Sequence, residues 1–436
     1  MRYYLLSLGC AKNTADSDGM HALLAQNAWT RVEQADDADV LIVNTCGFLQ
    51  AARRESLDAL CALAKHKRDG QRLIAVGCLV SRYGATIQRE VPQIDAVLDA
   101  GQWLALPRLL ARATGDWRAD AYSDLPTARS IVARLPRQPQ GPSAYLKIAD
   151  GCDRPCAFCI IPAIKGAQRS KHPDDVIAEA RDLVAQGAKE IALVAQDTTA
   201  YGWDFGERDA LAALIERLCR EVEGLVWLRL MYAFPGHITP RLIETMARHP
   251  QVVHYLDVPL QHAHPDTLAR MKRPNITVTR QMLDALRAAM PDLAIRTTFI
   301  VGFPGETEDE FRALLEFLEE QQFDRVGIFE FSREEGTPAA TMPHQISGKT
   351  KKYRRERAMA LQQKISHAKN RAWIGKELEV LVEGAGDGIS IARSYRDAPE
   401  VDGVVLIQQN ELPIGTFARV KITQALEYDL IGQVTD

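Results

Sequence analysis

Cys152, Cys156 and Cys159 lie in the run Asp150-Gly151-Cys152-Asp153-Arg154-Pro155-Cys156-Ala157-Phe158-Cys159. Spaced by three residues and then two, they place three thiolates in one short loop. Structural zinc takes four protein ligands, so three thiolates leave a tetrahedral zinc site unclosed. They suit a cubane 4Fe–4S cluster, in which each iron takes one protein thiolate, and they leave the fourth iron open to a small molecule. The competing readings are a zinc knuckle without a nearby fourth ligand and a redox CxxC pair with a spare thiol. A second set is spread along the first hundred residues. Apolar runs at 3–8, 40–43 and 73–76 lead to Cys10, Cys46 and Cys78. If these runs are parallel strands, the three cysteines share one sheet edge and make another three-thiolate set. The bland alternative is three unrelated buried thiols, since free cysteine is among the most buried residue types. Cys61 and Cys219 fall within helical stretches and are expected in the core.

The elements that must position these thiols follow from the apolar pattern. Between the first three runs lie helical patterns at 17–28 and 51–67, an alternation that predicts a parallel α/β domain over residues 1–134. Residues 135–143, rich in Pro and Gly, read as a connector. A second domain, 144–372, repeats strand and helix: strands at 144–148, 190–195, 226–231, 253–258, 294–301 and 325–331, with helices at 174–186, 209–222, 239–248, 279–289 and 307–320. Six such units predict an open or partial barrel whose strand carboxyl ends share one face, the face bearing the 152–159 loop. A third domain, 374–436, alternates over 377–382, 389–393, 401–407, 415–422 and 428–434. Five short strands broken by Gly, Asp and Pro predict a small closed, OB-like barrel. With 436 residues, about three domains are the expectation. Hydrophobic content of 46%, charged content of 25% and a net charge of −4 describe a soluble protein without a nucleic-acid footprint. Eight cysteines in a chain this long fit a cytosolic ligand role better than a secreted disulfide framework, and no apolar run is long enough to span a membrane.

The 150–159 run resembles the signature of the radical S-adenosylmethionine (SAM) enzymes. Leu8-Gly9-Cys10-Ala11-Lys12-Asn13 with Asp16-Ser17, then Asn44-Thr45-Cys46-Gly47-Phe48 and Gly77-Cys78, resemble the amino-terminal domain of the methylthiotransferases within that superfamily. The resemblance covers essentially the whole chain. It implies a flavodoxin-like first domain, a radical SAM partial (βα)6 barrel and a carboxyl-terminal TRAM domain. It also implies two 4Fe–4S clusters: one on Cys152, Cys156 and Cys159 that binds and reductively cleaves SAM, and an auxiliary one on Cys10, Cys46 and Cys78 that carries the sulfur to be transferred. By the same likeness Phe158 lies near the SAM adenine, and Gln196, Arg229 and Arg296 are expected as polar contacts to SAM. Gln261-His262 and His264 read as structural polar groups, since two imidazoles on a loop with no evident carboxylate partner are a weak metal signal.

Two substrates fit the resemblance: an aspartate of small-subunit ribosomal protein twelve (RimO-type), modified at its β-carbon, or an adenosine of tRNA (MiaB-type). Segments 44–48, 196–202 and 393–403 resemble the first type more closely. The third domain adds a physical argument, because five Lys and Arg against eleven Asp and Glu would repel phosphate and attract a basic protein. The basic stretch 349–371 reads first as a solvated helix face, with ribosomal RNA as the alternative surface it would meet. A one-electron donor and a sulfur source are required partners. A non-catalytic iron-sulfur or zinc protein that binds the ribosome is the reading from a different class.

Overall fold

The computed structural model describes residues 1–111, 134–408 and 411–435. The stretch expected to end the first domain falls largely within residues 112–133, outside the described residues, and residues 134–142 carry no helix or strand. Strands β1 (Arg2–Ser7), β2 (Thr30–Arg31), β3 (Val40–Thr45), β4 (Arg72–Gly77) and β5 (Ala96–Asp99) form a parallel sheet in the order β2-β1-β3-β4-β5. Helices α1 (Ala11–Gln26) and α4 (Leu106–Ala111) pack on one face, and α2 (Gln50–His66) and α3 (Cys78–Glu90) on the other. Covered on both sides, β3 and β4 can be continuously apolar rather than alternating. Helix α1 starts six residues earlier than its apolar pattern suggests. Its first two turns bury Asn13, Asp16 and Ser17, which a hydrophobic period does not register. Cys61, expected in the core, stands on the exposed side of α2, and Cys219 is only partly buried against the core.

In the second domain β6 (Ser143–Lys147), β9 (Glu190–Val194), β10 (Trp227–Leu230), β11 (Val252–Asp257), β12 (Ala294–Val301) and β13 (Arg325–Glu330) pair in chain order as an open, all-parallel sheet. A short antiparallel pair, β7 (Ala149–Asp150) and β8 (Arg169–Ser170), brackets the cysteine loop and the one-turn helix α5 (Ile161–Lys165). Helices α6 (Pro173–Ala185), α7 (Ala210–Glu221), α8 (Pro240–Arg248), α9 (Pro265–Arg270), α10 (Ile276–Ala289) and α11 (Glu308–Gln321) connect the strands. They bury the sheet's outer face together with α12 (Gly348–Arg371). Strands β14 (Glu377–Gly386), β15 (Ile389–Ser394), β16 (Val405–Gln408), β17 (Phe417–Ala425) and β18 (Leu430–Val434) close into a barrel. The strand expected at 401–407 is confined to its second half. Residues 395–404 leave the barrel and dock on the central sheet instead.

That dock is polar and buried. Arg393 pairs with Glu383 at 2.6 Å and with Glu190 of β9, whose other oxygen takes Arg229 of β10 at 2.5 Å. Arg229 also donates to the Tyr395 carbonyl at 2.7 Å. Arg325 Nε reaches Asp397 at 2.8 Å, Arg296 and the Tyr255 hydroxyl meet Asp402 at 3.3 and 2.7 Å, and the Tyr145 hydroxyl donates to the Pro399 carbonyl at 2.8 Å. Burial alone would raise the Glu190 carboxyl, but Arg229 and Arg393 outweigh it and hold the group down at about 2. Arg393→Met would leave Glu190 to Arg229 alone and take the partner from Glu383, and removal of one partner of a buried pair costs about 3–5 kcal/mol. We expect a lower urea midpoint for this variant and cleavage between α12 and β14 under limited proteolysis. An unchanged midpoint would show that the pair does not hold the joint.

Candidate functional site

Cys10, Cys46 and Cys78 follow β1, β3 and β4, three adjacent parallel strands, at their carboxyl ends. Glycines let the three loops approach. A Cβ on Gly9 would lie 2.7 Å from Cys46 Cβ, one on Gly47 would meet Leu79 Cα at 2.6 Å, and one on Gly77 would meet the Thr45 carbonyl at 2.7 Å. Gly77 also sits at φ 107°, open only to glycine. Asn13 staples the set by donating to the carbonyls of Leu8 and Thr45 at 2.7 and 3.1 Å, and Asn44 donates back to the Asn13 carbonyl at 2.9 Å. Burial pushes the Cys78 thiol up to about 12 and raises Cys46 as well. At Cys10 burial is outweighed by the Lys12 ammonium and by the N–H groups at the start of α1, which bring the thiol below its ordinary value.

The second loop leaves the sheet after β6. Gly151, at φ 78°, passes so close to the Ala167 carbonyl that a Cβ would lie 2.2 Å from its oxygen. Cys152 N–H donates to the Gly166 carbonyl at 3.1 Å. The loop is pinned further by Ala157 N–H on the Met271 carbonyl at 3.0 Å and by Ala339 N–H on the Ala157 carbonyl at 2.8 Å. Burial raises the thiols of Cys152 and Cys159 to about 11 and 12. N–H groups already aim at the sulfurs: Arg154 N–H lies 3.5 Å from Cys152 Sγ, and Arg273 Nη1 lies 3.7 Å from Cys156 Sγ. The Arg154 guanidinium is anchored by Asp197 at 2.8 Å.

One buried cation links the two loops. Lys165, six residues past Cys159, pairs with Asp150 at 3.3 Å, and its charge also acts on Cys78 and Cys10. Gln196 Nε2 donates to the other Asp150 oxygen at 2.7 Å, leaving Gln196 Oε1 buried without a partner. A cavity of about 690 Å³ opens where the domains meet, lined by Ser81, Asp99, Asp150, Ile164, Lys165 and Arg169. Phe158 packs with Met271, Phe303 and Phe331 at the ends of β12 and β13. Arg229 does not reach this space. It is fully buried, and its guanidinium donates to Glu190 and the Tyr395 carbonyl in the interdomain joint. Arg296 pairs with Asp257 and Asp402 at 3.1 and 3.3 Å, facing the same joint. Sequence reasoning passed over Lys12, Lys165 and Tyr232. For Lys165 the signal was available, as a lysine in the helix just after the cysteine loop.

The donor geometry separates the metal readings. A tetrahedral zinc with Zn–S near 2.3 Å brings its sulfurs to about 3.8 Å of one another. Among the described residues, the one group of three potential ligands whose donor atoms all lie within 4.8 Å is His264, Asp266 and Glu310. Neither cysteine set forms such a group. The His264 group is already spoken for. His264 Nδ1 accepts from Asp266 N–H at the start of α9, Glu310 holds Arg270 at 2.7 Å, and His262 Nδ1 accepts from His264 N–H at 3.0 Å. The carboxylates of Asp266 and Glu310, which the spacing of the histidines did not reveal, stand 4.0 and 3.7 Å from His264 Nδ1.

Three family profiles match: the Radical SAM superfamily over residues 146–318, Uncharacterized protein family UPF0004 over 2–99, and the TRAM domain over 374–435. Proteins named ribosomal protein uS12 methylthiotransferase RimO are similar along the full chain. That of Roseiflexus sp. (strain RS-1) is 48% identical, covering 100% of this chain and 98% of its own length. That of Chloroflexus aurantiacus is 48% identical with 99% of both covered. Among solved structures, the radical SAM methyltransferase TsrM from Kitasatospora setae superposes with a TM-score of 0.60 at 12% identity, over 89% of this chain and 77% of that one. This last likeness concerns the fold. The opposed positions of the first-domain thiols make a chemical prediction. In the metal-free chain at pH 8, iodoacetamide should alkylate Cys10 about tenfold or more faster than Cys46 or Cys78, because the thiolate is the nucleophile. Peptide mass spectrometry reads the order. Equal rates would show that Lys12 leaves the thiol unaffected.

Proposed function

The chain belongs to the ribosomal protein uS12 methylthiotransferase family of radical SAM enzymes, and we propose how its own residues carry that activity. It is a transferase that adds a methylthio group to uS12, small-subunit ribosomal protein twelve, with two 4Fe–4S clusters and SAM as cofactors. The tRNA and non-catalytic readings fall away. When bound, these groups supply one-electron and sulfur-transfer chemistry beyond the reach of any side chain.

Our assignment gives the SAM-binding cluster to Cys152, Cys156 and Cys159 and the auxiliary one to Cys10, Cys46 and Cys78. The observation that carries it is the pair of three-thiol cradles at the carboxyl edges of two parallel sheets, with buried Lys165 acting on both sides. Gln196 Oε1, an acceptor without a protein donor, suits the ammonium of SAM. Phe158, Phe303 and Phe331 keep water from the loop. Arg154 and Arg273 direct N–H groups at the cysteine sulfurs, where a thiolate charge gains most from a donor. The modified residue of uS12 is an aspartate, attacked at its β-carbon.

The third domain receives the basic substrate protein. Of its charged residues Glu377, Glu379, Asp387, Glu400, Glu411 and Glu427 are exposed against Lys376, Arg419 and Lys421, because Arg393 and Arg396 are spent inside the joint. Lys349, Lys352, Arg355, Lys364 and Arg371 line the exposed side of α12 and suit a phosphate backbone nearby. Lys165 and Arg169 at the cavity suit an anionic sulfur source, and a separate one-electron donor completes the system. Among the described residues no helix is long and apolar enough to cross a membrane, and we assign the activity to the cytoplasm, where the ribosomal substrate is.

Mass spectrometry of uS12 from cells with and without this gene tests the substrate. We expect loss of a methylthio increment on one aspartate in the deletion strain, with tRNA unchanged. Purified variants test the cysteine roles: Cys156→Ala should abolish 5′-deoxyadenosine formation, while Cys10→Ala should keep it but yield no methylthio product. Product from either variant would overturn the assignment.

A further inference from the structure

We propose that Lys12 is the residue that binds the carboxylate of the substrate aspartate, an inference that rests on the reading of uS12 aspartate as the target. Lys12 is the second residue of α1, two past Cys10. Its side chain crosses from the first domain to the carboxyl edge of the central sheet, where its ammonium sits 3.3 Å from the centroid of the Tyr232 ring. The 152–159 loop springs from the same edge. A group held at Lys12 is therefore beside one cysteine set and on the face that carries the other.

Other cations in this region have protein partners. Lys165 pairs with Asp150, Lys147 with Asp16, Arg154 with Asp197, and Arg296 with Asp257 and Asp402. Arg273 donates to the Pro259 carbonyl. Lys12, like Arg273, has no carboxylate within ion-pair distance among the described residues, and its ammonium rests on an aromatic ring. The acid nearest in effect, Asp257, spends one oxygen on Arg296 at 3.1 Å and the other on the Tyr232 N–H at 3.3 Å. The Lys12 ammonium also feels the Cys10 thiol and shares one hydrogen bond with Tyr232, and its remaining N–H donors can meet an anion.

Tyr232 is held for this purpose. Its φ of 60° is a backbone conformation that a bulky residue adopts only when its surroundings fix it. Here the Tyr232 carbonyl accepts from Thr198 N–H at 3.1 Å and from Thr198 Oγ1 at 3.2 Å, while Asp257 takes its N–H. Strained non-glycine residues gather at ligand sites, and this one presents its ring beneath the free cation. A carboxylate docked on Lys12 forms a charge-assisted hydrogen bond, which a neutral amide of the same shape does not reproduce.

The test uses full-length enzyme with both clusters loaded, purified uS12, and uS12 in which the target aspartate is replaced by asparagine. Iron content and 5′-deoxyadenosine release without uS12 are measured for every variant, because Lys12 also acts on the Cys10 thiol. Wild type should prefer the aspartate form by roughly 10- to 100-fold in kcat/KM, the range expected for a hydrogen bond to a charged group. Lys12→Gln should raise KM for the aspartate form and erase the preference, with Lys12→Arg restoring part of it. If Lys12→Gln loses iron, Tyr232→Leu and Lys12→Arg carry the same comparison. A preference that survives in these variants overturns the proposal. Wild-type enzyme that leaves the uS12 aspartate unmodified overturns the functional reading instead.

Discussion

An open six-stranded parallel sheet has an inner face that must be covered, and every other feature of this molecule follows from how that is done. In a closed barrel the strands would fill the lumen themselves. Here Tyr145, Ala192, Val194, Trp227, Met231, Val253, Tyr255 and Ala294 present a concave surface to material from elsewhere in the chain. The first domain contributes Ala11 and Ala15 of α1, and the third contributes Leu381 and Ala398. One cluster of buried side chains thus belongs to three domains at once. The small residues of α1 let the helix lie close to the sheet, and this close approach brings Cys10 and Lys12 to the edge where the other cysteines stand.

Apolar contact covers this face, but ion pairs orient what covers it. Lys147 holds Asp16 of α1, and Arg82 holds Glu334 at 2.8 Å where α3 meets the loop after β13. On the opposite side Arg393, Arg229 and Glu190 form a buried triad. Such pairs contribute little net stability, since desolvation offsets most of the attraction, but a mis-seated domain would leave their charges bare. Their service is geometric: they admit one seating of each outer domain and penalise the rest.

This division explains what could be read from the chain and what could not. The thiol sets were legible because one is a ten-residue run and the other recurs at the ends of three apolar strands. The order of the central strands was equally legible, since parallel strands joined by helices fall into sequence order. The ion pairs of Arg229 and Arg296 were not legible, because a strand residue's partner can come from any distance, and part of theirs comes from residues 395–402. The strand expected at 401–407 begins only at Val405, because Asp402 is spent on the central sheet. Lys12 stood in the Leu8–Asn13 run with no role of its own, since the ring beneath it is 220 residues away in the chain.

The rigid seating of the third domain has a consequence for how a site on a large partner is chosen. Because residues 395–404 lock the barrel to the sheet, each of its exposed carboxylates stands at a fixed distance from the cleft. Whatever grips them offers the cleft only the residue lying one set span away. Selection then works as a caliper does, by length between two jaws, and a local sequence around the target need not be read in full.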